Sequence, residues 1–86
     1  MPIISVFFGI IIRMYYKEHD PGHFHAEHQS QQGKFDFSGQ MVVGNIQSGT
    51  ALRLIREWAG LHQAELQANW EHMKKGQPLN RIAPLE

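Results

Sequence analysis

Residues 3–16 read Ile3-Ile4-Ser5-Val6-Phe7-Phe8-Gly9-Ile10-Ile11-Ile12-Arg13-Met14-Tyr15-Tyr16, and this stretch decides the fold class. β-Branched and aromatic side chains dominate it on both sides of Gly9, which is the composition of strands rather than of helix. At a period of two, Ile10, Ile12, Met14 and Tyr16 share one face, and Gly9, Ile11, Arg13 and Tyr15 share the other. The first face is the core candidate. Gly9 is either a bulge or a turn between two strands. The longest apolar run, Val6 to Ile12, is far short of the roughly 20 residues that span a bilayer.

Working outward, Asp20-Pro21-Gly22 is a turn signal, because Pro presets φ and Gly accepts positive values. His23 to Gln29 then alternates, with Phe24, Ala26 and His28 on one face and His23, His25 and Glu27 on the other. Gln29 to Gly33 reads as a polar loop and Lys34 to Phe37 as a short strand. Ser38-Gly39 turns the chain into a last strand at Gln40 to Val43. The second half changes period. Ser48-Gly49-Thr50 offers N-caps. Ala51, Leu52, Ile55, Ala59, His62, Leu66, Trp70 and Met73 then form one helical stripe, and Gly76 stands where a C-terminal glycine belongs. The expected architecture is α+β: a four- or five-stranded antiparallel sheet with one long C-terminal helix packed on one face. The chain is a single domain, β-rich over 1–47, helical over about 50–75 and extended over 76–86. A 25-residue helix is roughly 38 Å long, more than the diameter of ~31 Å expected for so short a chain. It therefore overhangs, breaks at Gly60, or is covered by a partner.

Composition narrows the function. The chain has 86 residues, of which 42% are hydrophobic and 19% charged, enough for a small core. Eight basic residues balance eight acidic ones, so the basic excess that displaces counterions from phosphates is missing and nucleic acid is disfavoured as a partner. Near-zero net charge favours self-association. With no cysteine, disulfides, thiolate nucleophiles and Cys-ligated metals are excluded. No basic segment precedes the apolar N-terminus and no cleavage-site pattern follows it, which implies a cytoplasmic protein with no membrane contact.

Histidine is the unusual residue, six in all, with His19, His23, His25 and His28 close together. Neutral imidazole is the commonest side-chain ligand for transition metals. His23 and His25, two apart on one strand face, are the metal candidates, and Asp20, Glu27 or His19 would complete a three-ligand site. A divalent transition metal is the cofactor such a site would take. Apolar Phe24 competes for the core, which turns His23 and His25 onto the open sheet face with Glu27 and leaves His28 and His62 as a buried pair, the second candidate site. The candidate ligand or partner site then lies on the open face beside the Asp20-Pro21-Gly22 turn.

The Met1-Pro2-Ile3-Ile4-Ser5 opening, Gly9-Ile10, Met14-Tyr15 and the run from His19 to Ala26 together resemble the bacterial family called domain of unknown function 4160. So do Leu52-Arg53-Leu54-Ile55, Glu57-Trp58-Ala59, Leu61-His62, Glu65-Leu66, Asn69-Trp70 and the Pro78-Leu79-Asn80-Arg81-Ile82 ending. The resemblance implies a small bacterial protein whose gene sits beside a second small gene in a toxin–antitoxin-like pair. That points to a protein-interaction component. The alternative, from the residues alone, is a small metal- or histidine-dependent hydrolase or nuclease using the His19–His28 cluster.

Overall fold

The alternating half of the chain forms five short strands in the computed structural model, which describes residues 2–86. They are β1 (Ile3–Phe7), β2 (Ile10–Arg13), β3 (Phe24–His28), β4 (Gln31–Phe35) and β5 (Met41–Gly44), all antiparallel and adjacent in sequence order. Ile10, Ile12 and Met14 are fully buried, as their alternation requires, while Tyr16 turns out of the core and its hydroxyl donates to the Gln77 carbonyl at 2.6 Å. Phe8-Gly9 is a two-residue turn with φ of 49° and 76°, so Gly9 is the turn and not a bulge. A bulge does occur at Ile4, between the pairs Ile3–Arg13 and Ser5–Ile12, and it lets Ile4 and Ser5 both face inward.

Gln29 to Gly33 is not a loop. Gln29 and Ser30 make the whole turn, with φ of 50° and 68°, and β4 starts at Gln31. Neither turn residue is Gly or Asn, so the usual hairpin signal is missing, and Gln31-Gln32-Gly33 is a poor strand former in isolation. Pairing on both sides, with β3 and with β5, overrides that weakness.

The expected single helix over about 50–75 is two helices, α1 (Gly49–Leu61) and α2 (Gln63–Lys74). The break falls at His62, not at Gly60. His62 has φ −126° and ψ 28°, and its N–H bonds the Ala59 carbonyl, three residues back rather than four. The molecule's longest extent is 34 Å, less than a straight helix of that length would need. The break is accommodated without a change of helical phase, since Ala51, Ile55, Trp58 and Ala59 in α1 and Leu66, Asn69, Trp70 and Met73 in α2 are all buried. Both helices thus stay on one face of the twisted sheet. The outer ends follow their cap chemistry. Ser48 Oγ accepts from Ala51 N–H at 3.1 Å. At the far end Gly76 (φ 69°) bonds Met73 and Gln77 bonds His72, the paired pattern of a left-handed helix stop.

The last ten residues form an extended tail that ties the helices to the sheet. Asn69, 1% exposed, accepts from Asn80 N–H and donates to Asn80 C=O, both at 2.9 Å. Buried Ile82 donates its N–H to the Ile4 carbonyl at 2.8 Å, on the outer side of β1. Trp58 Nε1 donates to the Ala83 carbonyl at 2.9 Å. One core results, with Phe7, Phe24 and Phe35 from the sheet, Trp58 and Trp70 from the helices and Ile82 from the tail.

Candidate functional site

β3 divides its side chains as the alternation requires. Phe24 and Ala26 are buried against the helices, while His25 and Glu27 lie half-buried on the opposite face. Across that face His25 stands between Arg13 of β2 and Lys34 of β4, and Glu27 between Ile11 and Gln32. The helices cover only one face, so this second face is open. On it Ile3, Val6 and Val43 are exposed, and Glu27 is paired with Arg13 at 2.8 Å.

His23 departs from the expected outward position: it is only 5% exposed. It precedes β3, so the strand's alternation does not govern it. Its Nδ1 lies 2.9 Å from the Pro21 carbonyl, and its ring packs 5.0 Å from the ring of Trp70, which reaches it from α2. The expected buried pair is not formed either. His28 is only half-buried, with Nδ1 enclosed and unpartnered, and His62, half-buried at the helix break, takes Glu65 as its partner at 2.5 Å and lies against Trp58. Asp20 points to α2: it accepts from Trp70 Nε1 at 2.8 Å and from Lys74 Nζ at 3.2 Å. His19 is exposed.

The residue that joins His23 and His25 is Glu18. Its Oε1 is 2.7 Å from His25 Nε2, which donates to it, and 3.3 Å from His23 Nε2, where the geometry is out of line for a hydrogen bond. The sequence pattern contains Glu18 as one more polar loop residue five before His23, with no period to mark it. Only the return of the loop onto β3 brings it to the histidines. Tyr15, edge-on at 4.6 Å, and His23, at 5.3 Å, hold the His25 ring from two sides. His25 borders a cavity of about 310 Å³ with Lys34 and Val43, and Glu18 borders a second with Tyr16 and Met73.

Partial burial raises the carboxyl of Glu18, but the hydrogen bond from His25, with the His23 ring close by, outweighs burial and holds it below the ordinary 4.5. Trp70 and Lys74 hold Asp20 below 3.8, and the hydroxyl of Ser38 with the N–H groups of the 36–40 turn does the same for Asp36. Each group has its folded value below its unfolded one. Each therefore contributes stability that is complete above the unfolded value and is lost as the pH falls through the folded one. Stability measured by urea titration is expected to hold from pH 7 to about 4.5 and then to fall, less steeply in Asp36→Asn. A flat profile down to about pH 3 would contradict these assignments.

Fold and cluster together define a small α+β domain, a five-stranded meander backed by a broken helix, with a Glu–His–His group at one end of its open face. The chain belongs to the family described as Domain of unknown function (DUF4160), whose model matches residues 9–71. The matched region runs from Gly9 in the first turn to Glu71 in α2 and contains the cluster, leaving β1, the end of α2 and the tail outside it. No curated protein and no solved structure matches the chain.

Proposed function

We propose that this protein is the interaction component of a two-protein cytoplasmic unit of the bacterial toxin–antitoxin kind, and that it receives its partner on the open sheet face. The observation that carries this reading is the apolar character of that face's free edge. Val43 is 65% exposed, and Val42, beside it in edge strand β5, is 57% exposed. The other edge is engaged by the chain's own tail through Ile82 and Ile4. Free strand edges with exposed apolar side chains pair readily with another chain. Arg13 on this face is neutralised by Glu27, whereas Lys34 has no ion pair among the described residues. The partner that fits is an extended apolar segment laid along β5 with a carboxylate opposite Lys34.

Co-expression with the product of the adjacent gene, followed by size exclusion with light scattering, tests this. The expected result is a stable complex that is lost in Val43→Asp, a substitution at an exposed site that leaves the fold intact. Elution of the protein alone, as a monomer at micromolar concentration, would refute the proposal. Elution as a homodimer indifferent to the second protein would assign the face to another copy and overturn the two-protein unit.

A second reading, a small metal- or histidine-dependent hydrolase or nuclease, draws on the convergence of Glu18, His23 and His25. Zero net charge weighs against the nuclease form, because a polyanionic substrate gains no long-range attraction.

A further inference from the structure

We propose that Glu18 Oε1, His23 Nε2 and His25 Nε2 bind a single divalent transition-metal ion, with zinc the best fit. The proposal does not depend on whether a partner occupies the sheet face. Its decisive observation is the state of His23. A carbonyl oxygen only accepts, so Nδ1, 2.9 Å from the Pro21 carbonyl, carries the ring's proton. In the neutral ring Nε2 is then a bare lone pair, and it is buried without a hydrogen-bond partner in a residue 5% exposed. An enclosed acceptor with nothing to accept costs stability. A carboxylate oxygen of Glu18 lies 3.3 Å from it and, ionised, offers it no proton. A cation placed between the two satisfies both.

The remaining geometry agrees. The three donor atoms all lie within 4.8 Å of one another. Zinc bonds of about 2.0–2.1 Å in a tetrahedron separate ligand atoms by about 3.3 Å. His23 and Glu18 are already at that spacing. Glu18 and His25, each with side chains 29% exposed, have room to adjust from 2.7 Å. The Nδ1–carbonyl bond of His23 is the outer contact that orients metal-binding histidines. Trp70 behind His23 and Tyr15 beside His25 restrict both rings. Two imidazoles and one carboxylate suit zinc or iron(II), whereas calcium and magnesium take oxygen ligands. Three protein ligands leave a fourth position for water or for an oxygen of a bound group. To ligate through Nε2, the neutral His25 ring carries its proton on Nδ1 instead, a change of tautomer with no net proton release.

Tag-free protein, stripped with chelator and titrated with Zn2+ by calorimetry, is expected to take up one equivalent with micromolar affinity or better. Titrated with Co2+, it should give the visible spectrum of a tetrahedral ion. Glu18→Gln and His25→Ala should each weaken zinc binding at least about tenfold, while His19→Ala and His72→Ala leave it unchanged. Should either site variant fail to fold, as read by circular dichroism, the nitrogen resonances of the histidine rings in the unaltered protein replace it: zinc must move Nε2 of both His23 and His25. Absence of one-equivalent binding, affinity unchanged in folded Glu18→Gln and His25→Ala, or ring resonances that stay in place would overturn the site.

Discussion

Trp58→Ala is expected to lower the stability of the fold by about 3–5 kcal/mol, the range for truncating a fully buried aromatic. Trp58 has no exposed surface and joins every layer of the molecule. Its ring centroid lies 5.4 Å from that of Phe7 in β1, 5.6 Å from that of Phe24 in β3 and 5.6 Å from that of His62 at the helix break. Its Nε1 holds the tail at Ala83. A domain of this size has a total stability of only about 5–15 kcal/mol, and short chains sit toward the low end. The variant should therefore be largely unfolded in mild urea. Trp58→Phe keeps most of the packing and loses the bond to Ala83, for which about 1–2 kcal/mol is expected. Urea titration of both variants checks the pair, and a loss below about 1 kcal/mol in Trp58→Ala would mean that the ring is not the centre of the core.

The second large effect is at a glycine pair. Gly33 of β4 and Gly44 of β5 are register partners, yet they should respond unequally to alanine. At Gly44 φ is +149°, and an added Cβ would stand 2.4 Å from the Gly33 Cα and 2.6 Å from the Gln32 carbonyl, both backbone atoms that cannot step aside. Strained backbone and overpacking each cost about 1–3 kcal/mol, so roughly 2–5 kcal/mol is expected for Gly44→Ala. At Gly33 the added atom would meet Met41 Sδ and Phe35 Cε1 at 2.9 Å. Methionine repacks easily, and about 1–2 kcal/mol is expected. Thermal unfolding of the two variants should rank Gly44→Ala clearly below Gly33→Ala; equal losses would show that side-chain crowding, and not the backbone approach of β4 to β5, limits the site.

Alternation and cap chemistry carried much of this fold, because both are local. Ile10, Ile12 and Met14 could face only one way once Arg13 faced the other, and Phe24 outcompeted His25 for the core because it loses no hydrogen bonds there. Ser48 and Gly76 marked the outer ends of the helical region through groups a few residues away. The placing of His25 and Glu27 on the open face followed from the same period. None of this needed knowledge of what the elements pack against.

The rest depended on residues far apart in the chain. No residue within the helical stripe announces a break at His62, where the ring meets Glu65, while Gly60, a residue of poor helical propensity, remained inside α1. Asn69 reads as one more polar helical residue until the tail returns to meet both ends of its amide. His23 lost its exposure to Trp70, which lies 47 positions later. Glu18 joined His23 and His25 because the loop from Tyr15 to Gly22 folds back beside β3. A spacing rule detects ligands that share one strand or one helix, and here the third came from a loop with no period of its own. Local patterning was thus sufficient for the fold class and for the face on which His25 lies. The composition of the site was decided by tertiary contact, since it depends on distances that only the closed chain sets.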